Sequence, residues 1–184
     1  MFSYFKKPII AKFVVDKQIN AASMQKLLKD IAKASESKKP IAAVCLVVNS
    51  PGGSACQSSI MGSKVQVFAK KRNVPFYTFA EDLAASGGYW LLCSGTHGVF
   101  ANKMSLVGSI GVVSMTANLR NLFDKSQIER PIIQTSDKLI SNRFDPLKQG
   151  GLTQADEDYI KDIQTNIFVD FRAWVEENRK DKLD

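Results

Sequence analysis

Apolar residues along this chain recur with two spacings, one typical of buried strands and one typical of amphipathic helices. Near-continuous apolar runs at 8–15 and 41–48 predict strands, and the second suits a central parallel strand covered on both faces. Between these runs, Asn20 is expected to cap a helix whose apolar positions fall at i, i+3, i+4 and i+7. A second helix is predicted over 54–72, and Pro75 opens the next strand, PFYTFAE.

The second half of the chain alternates glycine-containing turns with shorter elements. Asp82-Leu83 is expected to be a loop, and the following segment AASGGYWLLCSG reads as a turn that leads into a buried helix. Thr153 and Asp156 form the pattern of a capping box before a long amphipathic helix. The remaining predictions are strands at 98–101 and 131–135, a glycine-containing loop and strand within 105–114, a short helix at 118–127 and a loop at 136–152.

The order of these elements predicts an α/β fold. Strands alternate with helices, which is typical of a mainly parallel sheet with flanking helices. A chain of 184 residues is long enough to bury a substantial core, and no linker or low-complexity stretch interrupts it. We therefore expect one domain over residues 1–184.

Composition narrows the classes of partner and compartment. Lys and Arg number 25 against 18 Asp and Glu, a net charge of +7, but the basic residues are dispersed and no nucleic-acid partner is expected. Three cysteines without CxxC spacing indicate reduced, buried thiols and favour a reducing compartment, either cytoplasm or an organelle matrix. With one histidine, no metal site is expected, and no cofactor. No apolar run reaches membrane-spanning length, while membrane association stays open.

Two glycine-rich turns follow two of the apolar strands, SPGG at 50–53 and ASGG at 85–88. Ligands of open parallel sheets bind beyond the carboxyl ends of the strands, so both turns are expected to face one crevice. A hydroxyl group and two main-chain amides at such a place are what acyl transfer requires. The alternative is that Ser86 is only the cap of the helix that begins there.

Three blocks, VVNSPGGS, AASGGYW and LVGSIGVV, in this order and at this separation, resemble the signal peptide peptidase A family of serine peptidases. The likeness runs from about residue 9 to about residue 176. It implies a fold like that of crotonase and of the proteolytic subunit of Clp protease. It also implies a serine nucleophile with a lysine general base, and cleavage of hydrophobic or signal-like peptides.

Carried onto this sequence, the resemblance implies Ser86 as the nucleophile and the amides of Gly53 and Gly87 as the oxyanion hole. A β-branched residue at either glycine is expected to cost activity more than stability. The family usually continues past the long helix with a further short segment that has no counterpart here. We therefore expect either a truncated chain or a shortened member of the family.

The general base is where the sequence departs from the family pattern. Family members place a lysine after the strand that corresponds to PIIQT, but here Lys138 falls two residues before that position when Ser136 is aligned. When the alignment is instead anchored at Pro146 and run backward, Ser141 stands at the position of the family lysine. Lys138 is the expected base; the alternatives are Lys148, a lysine from another protomer and His97.

Three functions are compatible with these residues. The first is a serine endopeptidase that cleaves peptides by a Ser-Lys acyl-enzyme mechanism and assembles as a homo-oligomer. The second is a catalytically impaired member of the family that acts as a structural subunit of a larger complex. The third is a crotonase-type acyl-CoA enzyme, for which Glu81 and Asp82 would supply the carboxylate.

Overall fold

Within residues 7–136 and 140–180, which this computed structural model describes, five strands form one parallel sheet. Four of them lie in the order β1-β2-β3-β4, and β5 also pairs with β3. Their bounds are Ile9–Val15 for β1, Ile41–Ser50 for β2, Phe76–Ala85 for β3, Gly98–Ala101 for β4 and Leu106–Gly108 for β5.

Six helices accompany the sheet in the described part of the chain. Their bounds are Ala21–Ser35 for α1, Ala55–Arg72 for α2, Gly87–Leu92 for α3, Arg120–Lys125 for α4, Ile140–Arg143 for α5 and Gln154–Arg179 for α6. Strands and helices alternate through α3, as the spacing of apolar residues predicts. The prediction of an α/β fold with a mainly parallel sheet and flanking helices is confirmed.

Contacts divide the chain into two units, Met1–Gly111 with Phe168–Asp184 and Val112–Ile167. The prediction of a single domain over residues 1–184 stays a prediction. No helix of the described residues is both long enough and apolar enough to cross a membrane.

The core of the first unit lies between one face of the sheet and helices α1, α2 and α3. Side chains that are fully buried include Phe13 on β1, Leu46 on β2, Met61 on α2 and Leu91 on α3. Burial of such a side chain contributes about 1.5–3 kcal/mol. This core holds β2 in place beneath the turn that follows it.

The opposite face of the sheet is more open than the apolar run of β2 predicts. Val44 and Leu46 are completely buried, whereas Cys45 between them is only half-buried. Ile10 and Phe100 are 61% and 50% exposed, although Phe100 stacks on Phe79 at a ring-centroid distance of 5.1 Å. Strand β2 is central as predicted, and its second face is covered only in part: Val47 is buried there while Cys45 is half-buried.

The three cysteines occupy three different environments. Cys93 is buried, Cys45 is half-buried and Cys56 is exposed, so the prediction of buried thiols is wrong for Cys56. All three are free. Burial raises the pKa of the Cys93 thiol to about 11, which keeps that thiol protonated and unreactive at neutral pH.

Strand β3 is longer than the sequence predicts. Asp82 and Leu83, expected to form a loop, lie inside β3. The register between β2 and β3 shifts here, because Val48 pairs with Ala80 while Ser50 pairs with Ala84. The extra residues form a β-bulge, which a pattern of apolar positions does not distinguish from a loop.

In the unit Val112–Ile167, the predicted strand at 131–135 is wrong. These residues have no regular secondary structure, and Ile133 is 100% exposed. A strand requires a neighbouring strand for its backbone groups, and no described strand pairs with this segment. The predicted loop at 136–152 contains the short helix α5. The short helix predicted at 118–127 is confirmed as α4.

Two helix starts confirm the predicted caps. The Asn20 side chain accepts a hydrogen bond from the Ser23 amide at 3.0 Å at the start of α1. At the start of α6, the Asp156 carboxylate accepts from the Thr153 amide at 3.0 Å and from the Thr153 hydroxyl at 2.7 Å. Asp156 also forms ion pairs with Lys148 and Arg143. The hydrogen bond from Lys148, followed by those from Thr153, lowers the pKa of the Asp156 carboxyl below its usual value.

We predict that the lowered pKa of Asp156 makes the start of α6 acid-sensitive. Because the pKa of this carboxyl is lower in the folded than in the unfolded chain, its contribution to stability is complete above the unfolded value of about 4. That contribution is lost as the pH falls toward the folded value. Asp156→Asn should therefore lower the melting temperature at pH 7, and the difference from wild type should shrink at pH 3. Thermal unfolding followed by circular dichroism at both pH values measures this. A difference that is unchanged at pH 3 would contradict the assignment.

Candidate active site

The turns SPGG and ASGG lie directly against each other at the carboxyl ends of β2 and β3. A methyl group built on Gly52 would lie 2.7 Å from the amide nitrogen of Gly87 and 2.8 Å from Cβ of Ser86. A methyl group on Gly88 would lie 2.6 Å from the carbonyl oxygen of Ser50. The backbones of the two turns are therefore as close as glycine permits, and they meet in one place as the parallel sheet predicts.

Ser50 holds the first turn in this position. Its side chain is fully buried, and its hydroxyl donates to the carbonyl oxygen of Lys17 at 2.6 Å. The same hydroxyl oxygen accepts a hydrogen bond from the Gly52 amide at 3.1 Å. Gly52 has a φ of +95°, a backbone conformation that favours glycine. The turn is thus specified both by glycine and by one buried hydroxyl.

Ser86 occupies a strained backbone conformation, with φ at 51° and ψ at −121°. A residue other than glycine rarely adopts this region, and the cost is about 1–3 kcal/mol. The amide of Ser86 donates to the carbonyl oxygen of Gly108 at 2.8 Å, and its carbonyl oxygen accepts from the amide of Trp90 at 3.0 Å. The serine backbone is therefore bound on both sides, to β5 and to the first turn of α3.

The side chain of Ser86 does not cap α3. Although Ser86 stands at the N-cap position, its side chain makes no capping hydrogen bond. Its hydroxyl has no hydrogen-bond partner among residues 7–136 and 140–180, and the residue is half-buried. The reading of Ser86 as only a helix cap is therefore wrong. A strained serine with a free hydroxyl at a sharp strand-to-helix turn is typical of a nucleophile.

Two amides beside Ser86 are without acceptors in the described part of the chain. Gly53 pairs with Ile19 in an isolated β-bridge. The two hydrogen bonds of this bridge join the carbonyl oxygen of Gly52 to the amide of Ile19 and the amide of Ser54 to the carbonyl oxygen of Ile19, so the amide of Gly53 takes no part in them. Gly87 is the first residue of α3, where no carbonyl precedes it within the helix. Each glycine thus carries a main-chain donor that has no acceptor in the described part of the chain.

A side chain at either glycine would clash with its surroundings, so substitution should also cost stability; the prediction that a β-branched residue costs activity more than stability stays a prediction. A methyl group on Gly53 would lie 2.1 Å from the carbonyl oxygen of Ile19, and one on Gly87 would lie 2.2 Å from the Ser58 hydroxyl. Ser58 is itself completely buried. Substitution at either position would displace backbone or a buried side chain.

His97 lies at the other end of β3 from Ser86. Its amide donates to the carbonyl oxygen of Phe76 at 2.9 Å, and its Nδ1 accepts from the amide of Phe76 at 3.3 Å. Phe76 is the first of the ten residues of β3, which span roughly 30 Å. His97 is therefore excluded as the base for Ser86.

The candidate lysines differ in what the structure shows of them. Lys138 lies outside the described residues. The ammonium of Lys148 donates to the Asp156 carboxylate at the start of α6. A general base must be an uncharged amine, and a carboxylate partner stabilises the charged ammonium. The geometry of Lys148 is thus that of a structural ion pair.

The remaining residues singled out from the sequence are carboxylates. Glu81 and Asp82 are exposed on the bulged part of β3, adjacent to the segment that leads to Ser86. Among the described residues, no group of three or more His, Cys, Asp and Glu side chains is arranged to hold a metal ion.

Sequence reasoning missed three features of the site: the buried hydroxyl of Ser50, the approach of Gly52 to the second turn and the strain at Ser86. The first had a signal in the sequence, since a polar Asn-Ser pair ends the apolar run of β2. The other two had none. They depend on how β2 and β3 are aligned in the sheet.

A family model and several curated proteins match this chain. The model of peptidase family S49 matches residues 68–183. Serine protease SPPA, chloroplastic, of Arabidopsis thaliana is 31% identical over 70% of this chain and 19% of its own length. Protease 4 of Haemophilus influenzae is 30% identical over 64% of this chain and 19% of its own. A Brucella melitensis protein named Na(+)/H(+) antiporter NhaA is 33% identical over 83% of this chain. The chain spans 20% of that protein's length.

We predict that the close approach of the two turns depends on Gly52. Gly52→Ala should lower the free energy of unfolding by about 3 kcal/mol, because the methyl group meets backbone atoms and the positive φ disfavours alanine. Gly62→Ala is the matched control. Gly62 lies inside α2, and a methyl group there would be 3.6 Å from the nearest atoms of other segments. The control should be neutral or stabilising by up to about 1 kcal/mol. Urea unfolding measures both, and equal losses would show that the turn contact is unimportant.

Proposed function

The chain belongs to peptidase family S49, the signal peptide peptidase A family, and on this basis we propose that it is a serine endopeptidase with Ser86 as its nucleophile. The mainly parallel sheet with flanking helices agrees with the Clp protease-like fold of that family. One observation carries the proposal. The Ser86 hydroxyl has no partner among the described residues, while its backbone is held in a conformation that costs free energy.

In the proposed reaction, the Ser86 oxygen attacks the carbonyl carbon of the peptide bond while the general base takes the hydroxyl proton. The amides of Gly53 and Gly87 donate hydrogen bonds to the oxyanion that forms, and removing one such donor typically costs about 3–4 kcal/mol of transition-state stabilisation. The base then protonates the leaving amine as the carbon–nitrogen bond breaks. Water hydrolyses the acyl-enzyme to a carboxylic acid and releases Ser86.

Lys138 is the proposed base, because the family uses a lysine and Lys138 lies two residues before the position of that lysine. A lysine that accepts a proton near neutral pH needs a pKa of about 7–8 in place of about 10.4. Lys148 is the weaker candidate because of its ion pair with Asp156. A lysine of a second protomer is the remaining source.

The proposed substrates are extended peptides with apolar side chains. Strand β5 carries Leu106 and Val107, which are 71% and 47% exposed, and its Gly108 holds the Ser86 amide. An extended peptide that adds to this part of the sheet would bring a peptide bond to the Ser86 hydroxyl while its apolar side chains contact this surface. Similarity to the Arabidopsis thaliana protein named serine protease supports a peptide substrate.

We predict that two substitutions of Ser86 separate activity from stability. Ser86→Ala should abolish hydrolysis of an apolar fluorogenic peptide and labelling by a fluorophosphonate, and it should leave the melting temperature nearly unchanged. Ser86→Gly should also abolish both activities, yet it should raise the melting temperature because glycine relieves the strain at φ 51°.

The control is Ser109→Ala, which removes the hydroxyl of an exposed serine that also has a positive φ, 58°. This variant should remain labelled. Failure of the correctly folded wild type to hydrolyse peptide or to react with the probe would indicate an impaired, structural member of the family instead.

We further propose that the chain assembles as a homo-oligomer. Large apolar side chains in both units are strongly exposed, among them Met104, Val113, Met115 and Ile133, at 80%, 81%, 92% and 100%. Large exposed apolar patches usually mark a contact with another protein, and assembly would cover these side chains.

Mixing two inactive variants tests the base and the assembly together. We predict that Lys138→Ala is as inactive as Ser86→Ala, while Lys148→Ala retains activity and loses thermal stability because Asp156 loses a partner. If activity returns when Lys138→Ala and Ser86→Ala are mixed, the base comes from a neighbouring protomer; if it does not, the base lies in the same chain.

Light scattering of the same samples should give a mass above the 20.4 kDa of one chain. A 20.4 kDa particle would refute the oligomer, and an active Lys138→Ala would refute the base.

A further inference from the structure

Strands β2 and β3 lose their common register just before the two turns. Val48 pairs with Ala80, and two residues later Ser50 pairs with Ala84. Strand β3 therefore uses four residues where β2 uses two. The extra residues leave backbone groups of β3 without their regular partners on β2.

The side chain of Asn49 supplies one of the missing partners. Asn49 is the β2 residue opposite the bulge, and its Oδ1 accepts a hydrogen bond from the amide of Leu83 at 3.2 Å. Leu83 is the last residue of the bulge before regular pairing with Ser50 resumes at Ala84. A side-chain oxygen thus stands in for a main-chain carbonyl of the sheet.

The bulge also marks the point at which β3 changes its partner on the other side. Residues Tyr77–Ala80 pair with β4, whereas Leu83, Ala84 and Ala85 pair with β5. The next residue, Ser86, donates its amide to Gly108 at the end of β5. The position of the Ser86 backbone therefore follows from the pairing that begins at Leu83.

From this arrangement we propose that Asn49 is a positioning residue for Ser86. By accepting the Leu83 amide, Asn49 sets the length of the bulge, and the bulge determines which residues of β3 pair with β5. That pairing places the strained serine backbone against the SPGG turn. The effect of Asn49 on catalysis rests on the proposed function. Its effect on the pairing of β3 rests on the hydrogen-bond geometry alone.

Asn49→Ala is the test variant, and Asn118→Ala is its matched control. Asn118 makes the same type of bond in the other unit, where its Oδ1 accepts from the Arg120 amide at 2.9 Å. For an apolar fluorogenic peptide, Asn49→Ala should lower kcat by about 100-fold with little change in KM, because the nucleophile is displaced while the peptide surface remains. The control should keep kcat within about twofold of wild type, since its bond lies at the start of α4 and takes no part in the pairing of β2 with β3.

Asn49→Asp retains an oxygen acceptor and should restore most of kcat in high salt, which screens the added charge from Glu81 and Asp82. Asn49→Gln, whose amide is displaced by one methylene group, should not restore it. If Asn49→Ala does not fold, the comparison of Asn49→Asp with Asn49→Gln decides the proposal. Unchanged kcat in Asn49→Ala or Asn49→Gln, or an equal loss in Asn118→Ala, would overturn it.

Hydrogen exchange separates this proposal from the proposed function. The Ser86 amide should exchange at least about tenfold faster in Asn49→Ala than in wild type, and at the wild-type rate in Asn118→Ala. If wild type shows neither hydrolysis nor labelling, the proposed function fails and the exchange measurement alone decides the role of Asn49. An unchanged exchange rate at Ser86 would refute that role whatever the activity.

Discussion

The contact between two glycine turns is the constraint on which the candidate site depends. Gly52 approaches the backbone of Gly87, and Gly88 approaches the carbonyl oxygen of Ser50, at distances that leave no room for a Cβ atom. Because these turns begin α2 and α3, their contact brings two helix N-termini to one place. Positive electrostatic potential and unbonded amides are concentrated there, next to a hydroxyl that makes no bond within the described chain.

Polar residues at the end of β2 hold this contact in place. The buried hydroxyl of Ser50 fixes the first turn from below, and the amide oxygen of Asn49 binds the bulge of β3 that leads to the second. Beneath them, the apolar core anchors β2 against α2 and α3. The strain at Ser86 is thus sustained by several bonds in the surrounding structure, which is how strained residues persist at functional sites.

The two units contribute different kinds of polar interaction. In the first, the hydroxyl of Ser86 and the amides of Gly53 and Gly87 have no partners among the described residues, which suits them for a reaction. In the second, Asp156 satisfies its carboxylate with Thr153, Lys148 and Arg143 and so stabilises the start of α6. The same contrast distinguishes the lysines: the ammonium of Lys148 already has a carboxylate partner, which suits stability and not proton transfer.

The sequence by itself determined the features that depend on neighbours a few residues apart. Apolar spacing predicted β1, β2 and the main helices, Asn20 and Thr153 identified two helix starts, and the motifs around Ser50 and Ser86 identified the family. Tertiary structure decided the bulge at Asp82-Leu83, the φ of Ser86, the distance from Ser86 to His97 and the absence of a strand at 131–135 in the described chain. The physical reason is how far apart in the chain the interacting residues lie. Helix periodicity and caps are set by contacts within one or two turns, whereas strand register, strand partners and backbone strain are set by segments distant in the chain.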